Sequence, residues 1–230
     1  VRLPNDTQRH AIYGKTGSGK TVAGLWALEK RSWDRMPWII VDFKRDPTIA
    51  RIPRLEEVDI DSKPPKQAGL YVVRPLPQSS DEVDDYLWKV WKRGRTGMMF
   101  DEGYMVGRFS KPFNAILTQG RSLRLPVITL SQRPSWLSPF LMSEADFHQV
   151  FYLQRPSDLK IIREWMPITR ELRPDYTSHY YDVSRNKLTY LKPVPEEDEI
   201  LNRFDLHMPR RTRLFRGITS QARRSRLFLT

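Results

Sequence analysis

Cysteine is absent from the 230 residues, which excludes disulfides and thiolate metal sites and fits a reducing compartment. Histidine is scarce: His10, His148, His179 and His207 stand isolated, without ligand spacing, so no histidine-built metal centre is expected. Long apolar runs are missing as well. The best, Met36 to Phe43, falls far short of the ~18 residues a membrane span needs, and it ends in charges. The N-terminal stretch has no signal-peptide pattern. A soluble chain without a transmembrane segment is expected. Acidic residues nearly vanish after position 200. From Leu201 to Thr230, eight arginines (Arg203, Arg210, Arg211, Arg213, Arg216, Arg223, Arg224 and Arg226) face the single acid Asp205. This segment carries more than half of the formal net charge of +12. Such an excess points to a polyanion, either nucleic acid or an acidic membrane face, against the plainer reading of a solvated tail. The expected division is an ATPase domain over 1–200 and a basic C-terminal segment over 201–230.

A hydrophobic content of 39% and an aromatic content of 11% are globular values. Short apolar runs alternate with longer amphipathic ones, the pattern of an α/β fold with a mostly parallel central sheet flanked by helices. Strands are expected at His10–Tyr13, Trp38–Phe43, Leu70–Val73, Gly97–Asp101, Pro126–Ser131 and Val150–Gln154. Helices are expected over Lys20–Lys30, from an N-cap at Ser80 through Trp91, over Phe113–Leu123 and over Ser157–Met166. Pro47, Pro53, Pro64 and Pro65 preclude continuous regular structure between the second and third strands. Pro75 and Pro77 close the third. Tyr180–Val183 and Leu188–Leu191 flank a turn, giving a C-terminal β-hairpin ahead of the basic tail.

Gly14-Lys15-Thr16-Gly17-Ser18-Gly19-Lys20-Thr21 matches G-x-x-x-x-G-K-[ST] in full, with a strand before it and a helix after it. Glycines let the backbone turn its N–H groups toward phosphate oxygens at a helix N-terminus. Lys20 is placed to reach the β- and γ-phosphates of ATP, and the Thr21 hydroxyl to ligate Mg²⁺. An apolar strand delivers Asp101 and Glu102 at its carboxyl end; paired with the loop, Asp101 serves the Mg²⁺ shell and Glu102 activates the attacking water. Gln132 ends a later strand, where its amide either senses the γ-phosphate or simply bonds the backbone.

Taken together, Lys15–Thr21, Val41-Asp42-Phe43-Lys44, Phe100-Asp101-Glu102, Gln119-Gly120-Arg121 and Gln132-Arg133-Pro134-Ser135 resemble the FtsK–HerA superfamily of DNA-translocating ATPases over roughly Val1 to Gln154. The compact length is most similar to the genome-packaging ATPases of tailless, membrane-containing phages. The resemblance implies an additional-strand, RecA-like P-loop fold and a ring oligomer, usually hexameric. It further implies double-stranded DNA as substrate, a portal, vertex or capsid membrane protein as dock, and a place in the host cytoplasm or the virion. Arg121 matches the finger that reaches a neighbour's γ-phosphate, with Arg124 and Arg133 as rivals, and Gln132 matches the sensor glutamine. Two alternatives remain: an extrusion ATPase of the Zot type docked on a membrane, and a small P-loop kinase. Trp26, Trp88 and Trp91 are expected in the core. Tyr180, Tyr181 and Tyr190 either pack in the hairpin or stack on bases.

Overall fold

The computed structural model describes residues 1–76 and 80–206. Pro77 and every arginine of the basic segment except Arg203 lie outside the described residues. Nine strands form one sheet: β1 (Arg9–Tyr13), β2 (Pro37–Asp42), β3 (Glu56–Glu57), β4 (Gly69–Val73), β5 (Gly97–Asp101), β6 (Val127–Ser131), β7 (Phe147–Val150), β8 (Ser178–Asp182) and β9 (Lys187–Leu191). The helices are α1 (Lys20–Glu29), α2 (Pro47–Ala50), α3 (Ser80–Arg93), α4 (Lys111–Leu123), α5 (Pro139–Glu144), α6 (Pro156–Trp165) and α7 (Glu197–Leu206).

The strand order is β3-β4-β2-β5-β6-β1-β7-β8-β9. The first seven in this order run parallel, and β8 and β9 add an antiparallel hairpin. Alternate side chains of each strand serve opposite faces. Ala11, Ile39, Val41, Met98 and Phe100 pack toward α3, α4 and α5, while Ile12, Trp38, Ile40, Met99 and Leu130 pack toward α1 and α7. Both faces are covered, which is why the strands read as unbroken apolar runs. Gly24 lets α1 press onto β6, since a Cβ there would meet Leu130 Cδ2 at 2.8 Å. α1 thereby lies across the sheet with its N-terminus fixed at the strands' carboxyl edge.

Several expectations are corrected. The last parallel strand is Phe147–Val150, not Val150–Gln154. Past Val150 the backbone turns to the glycine-rich loop: Phe151 N–H still donates to Tyr13 O at 2.8 Å, Lys15 N–H donates to Tyr152 O at 2.9 Å, and Phe151 is buried beside Gly14. Ser80 is the first helical residue of α3. Trp26, Trp88 and Trp91 are only half-buried, and Trp88 and Trp91 stand edge to face at 5.6 Å. Tyr180 and Tyr181 are buried in β8, whereas Tyr190 is exposed. α7 crosses position 200 and buries Ile200, Leu201 and Phe204, the last against Trp33 at 5.8 Å. Among the described residues, no helix is long and apolar enough to cross a membrane.

Candidate functional site

The glycine-rich loop joins β1 to α1 at the carboxyl edge of the parallel strands, where open α/β sheets hold their ligands. Gly17 and Gly19 take φ of 76° and 91°, left-handed values that admit glycine without strain. Gly19 caps α1 without any side-chain bond to the free N–H groups of the first turn. Those donors face a cleft of about 400 Å³ bordered by Lys20, Thr21, Lys44, Asp46, Asp101 and Glu102. Lys20 is buried, and its ammonium donates to Lys15 O at 3.1 Å. Burial lowers its pKa, while the Glu102 charge works the other way.

Asp101 ends β5 in register with Asp42 at the end of β2, and Glu102 follows directly after the strand. Asp101 Oδ2 is buried without a hydrogen-bond partner. Burial, then the charges of Glu102, Asp46 and Asp42, push this carboxyl up to about 7. A buried hard oxygen among several acids, with the Thr21 hydroxyl bordering the same cleft, fits the donor chemistry of Mg²⁺.

Glu102 adopts φ 61° and ψ 62°, which turns its side chain out of the strand direction. Both carboxylate oxygens are engaged: Oε1 with the Lys44 ammonium, Oε2 with the Gln132 N–H at 3.2 Å. The Gln132 side chain reaches the glycine-rich loop, where its Oε1 accepts from the Thr16 hydroxyl at 2.6 Å. Gln132 therefore bridges the loop to Glu102 through its two ends, one side chain and one backbone.

No protein-family model matches the chain. It is 39% identical to the DNA packaging ATPase P9 of Enterobacteria phage PRD1 over 226 aligned residues, covering 93% of this chain and 99% of that protein. The chain belongs to the viral DNA-packaging ATPases. Among solved structures, the genome packaging NTPase B204 of Sulfolobus turreted icosahedral virus 2 in complex with AMPPCP superposes with a TM-score of 0.65. Identity is 20%, over 83% of this packaging ATPase and 100% of B204. ATPases 2 and 3 of Thermomonospora curvata EccC give a TM-score of 0.60 at 12% identity, over 85% of this chain and 38% of theirs. These two likenesses extend to the fold alone.

In this packaging ATPase, Gly14–Thr21, Asp101, Glu102 and Gln132 converge on one edge. Arg121 does not join them. It lies near the C-terminus of α4, at the amino edge of the sheet, and reaches Asp146 at 3.4 Å with 65% of its side chain exposed. The rival Arg133 is engaged within the chain, bonded to Asp158 at 3.1 Å and stacked 4.3 Å above Trp136. Arg124 is exposed at the α4 C-cap, also at the amino edge. Lys44 stands in the sequence only as the end of the run Val41-Asp42-Phe43-Lys44, and no motif includes Asp46 or Tyr176. Lys44 carries one signal in the sequence, its place just past an unbroken apolar strand.

Proposed function

We propose that this chain is an ATP-driven motor that moves double-stranded DNA during viral genome packaging, working as a ring of identical subunits. The observation that carries the reading is the opposition, across one cleft, of the α1 N-terminus with Lys20 to the unpartnered Asp101 oxygen and Glu102. The printed names of the relatives, a DNA packaging ATPase and a genome packaging NTPase solved with an ATP analogue, support the nucleotide and the process.

In this reading the loop amides and Lys20 hold the triphosphate, and Thr21 and Asp101 would hold Mg²⁺. The metal supplies charge neutralisation on the phosphates. Glu102, once free of Lys44, takes a proton from the attacking water. Gln132 couples the two sides, because any shift of Thr16 at the loop pulls on the residue whose N–H restrains Glu102. Arg121 lies at the edge away from its own loop, so in this reading it acts on a neighbour's phosphates; an exposed guanidinium with one long ion pair is free to do so. Basic side chains facing a ring's channel grip the DNA backbone, which makes binding fall steeply with salt. A portal, vertex or capsid membrane protein is the proposed dock.

Glu102→Gln tests the core of this reading. The variant is expected to bind ATP like the parent while turnover falls about 10²–10⁴-fold, the usual worth of a positioned general base. Lys20→Ala is expected to lose binding itself. Normal turnover by Glu102→Gln in steady-state ATPase assays would remove Glu102 from the chemistry.

A further inference from the structure

Residues 166–177, between α6 and β8, have no regular structure, yet the chain returns here over the glycine-rich loop. Tyr176 holds an unfavourable conformation there, with φ at 61°, a left-handed value that a bulky aromatic seldom adopts. Asp175 fixes the bend: its Oδ1 accepts from the Thr177 N–H at 3.1 Å and from the Thr177 hydroxyl. No burial compensates, because Tyr176 is 55% exposed. Strain kept at an exposed residue points to function.

What the bend achieves is placement. A Cβ on Gly19 would meet Tyr176 Cδ1 at 3.2 Å, so the ring rests against the loop. The ring borders the cleft that holds Lys20, Thr21 and Asp101. It also borders a hollow of about 50 Å³ shared with Pro174, Arg173 and Tyr152. A triphosphate whose terminal group lies between Lys20 and Glu102 leaves its base end to the rest of that cleft, whose border includes Gly17, Gly19 and Tyr176. Aromatic rings bind nucleobases there by stacking, face to face, with proline able to extend the apolar surface.

We propose that Tyr176, flanked by Pro174, is the face on which the nucleobase of the bound triphosphate stacks. The inference rests on the reading of Gly14–Thr21 as the phosphate site. It adds a base subsite from a segment that carries no motif.

Calorimetric titration of the full chain with MgATP, and separately with magnesium tripolyphosphate, tests it. Tyr176→Ala is expected to weaken MgATP about tenfold, within the range of one lost aromatic–base stack, and to leave tripolyphosphate unchanged. Tyr176→Trp is expected to restore MgATP affinity. Should the alanine variant fold poorly, Tyr176→Gly, which suits a left-handed backbone, is expected to give the same split. Equal weakening of both ligands would reduce Tyr176 to a brace for the loop and overturn the proposal, as would no change in either. Lys20→Ala is expected to weaken both ligands. If it weakens neither, the phosphate site itself is misplaced, and the base subsite falls with it.

Discussion

Two carboxylates in succession, Asp101 and Glu102, would repel each other in a buried site if both pointed the same way. The backbone separates them, Asp101 staying in the strand and Glu102 turning to positive φ. Lys44 then neutralises one oxygen of Glu102, and the Gln132 N–H occupies the other. With one bond on each oxygen Glu102 is tethered on both sides, and Lys44 is proposed to restrain turnover by holding it. Lys44→Met is expected to raise DNA-independent ATPase activity about tenfold, the worth of one charge-assisted bond of ~1.4 kcal/mol. A fall in turnover together with weaker ATP binding would instead make Lys44 a phosphate ligand. The glycine-rich loop and the Asp101–Glu102 pair were legible in the sequence because each is a contiguous run whose chemistry is local. Lys44 and Tyr176 were not. Their significance arises only when the end of β2 meets the end of β5, and when an irregular segment folds back on Gly19.

At the scale of elements, the central strands could be read because both faces are covered and their residues are apolar without interruption. β7 hid for the opposite reason: its middle residues, His148 and Gln149, are polar yet buried. Gln149 donates to the Ser178 hydroxyl at 2.9 Å, and the His148 ring bonds the Tyr13 hydroxyl at 3.1 Å. α7 was missed because its apolar residues sit next to a segment dominated by arginine. The buried histidines have a consequence for stability. Burial depresses His148 to about 4; burial, with Arg31 and His148 nearby, holds His10 well below its usual value. A depressed folded-state pKa means the unfolded chain binds protons first. For His148 this contribution is complete above about pH 6.5 and is lost as pH falls toward 4, at about 1.4 kcal/mol per unit, and His10 acts in the same sense. Asp101 acts in the opposite sense: its contribution is complete below about pH 4 and is lost as pH rises through about 7. Comparison with His148→Gln isolates one group: the melting temperature of the variant is expected to fall less steeply between pH 6.5 and 4. Parallel curves for parent and variant would show that His148 is not held neutral.

The molecule as a whole presents its ATP machinery at one edge of the sheet and Arg121 at the other. The proposal of an active site completed by a neighbour rests on this separation and on the resemblance carried by Gln119-Gly120-Arg121. Mixing Arg121→Ala with Lys20→Ala subunits is expected to recover part of the activity that each lacks alone, since a finger is worth ~10³–10⁵ in rate. No recovery at any ratio would confine Arg121 to a structural role. The most direct test of the motor reading is the ATPase rate per subunit, measured against protein concentration with and without duplex DNA. The rate per subunit is expected to rise as subunits assemble and to rise again with DNA. A rate per subunit that stays constant across concentrations and is indifferent to DNA would contradict shared active sites and the proposed substrate together.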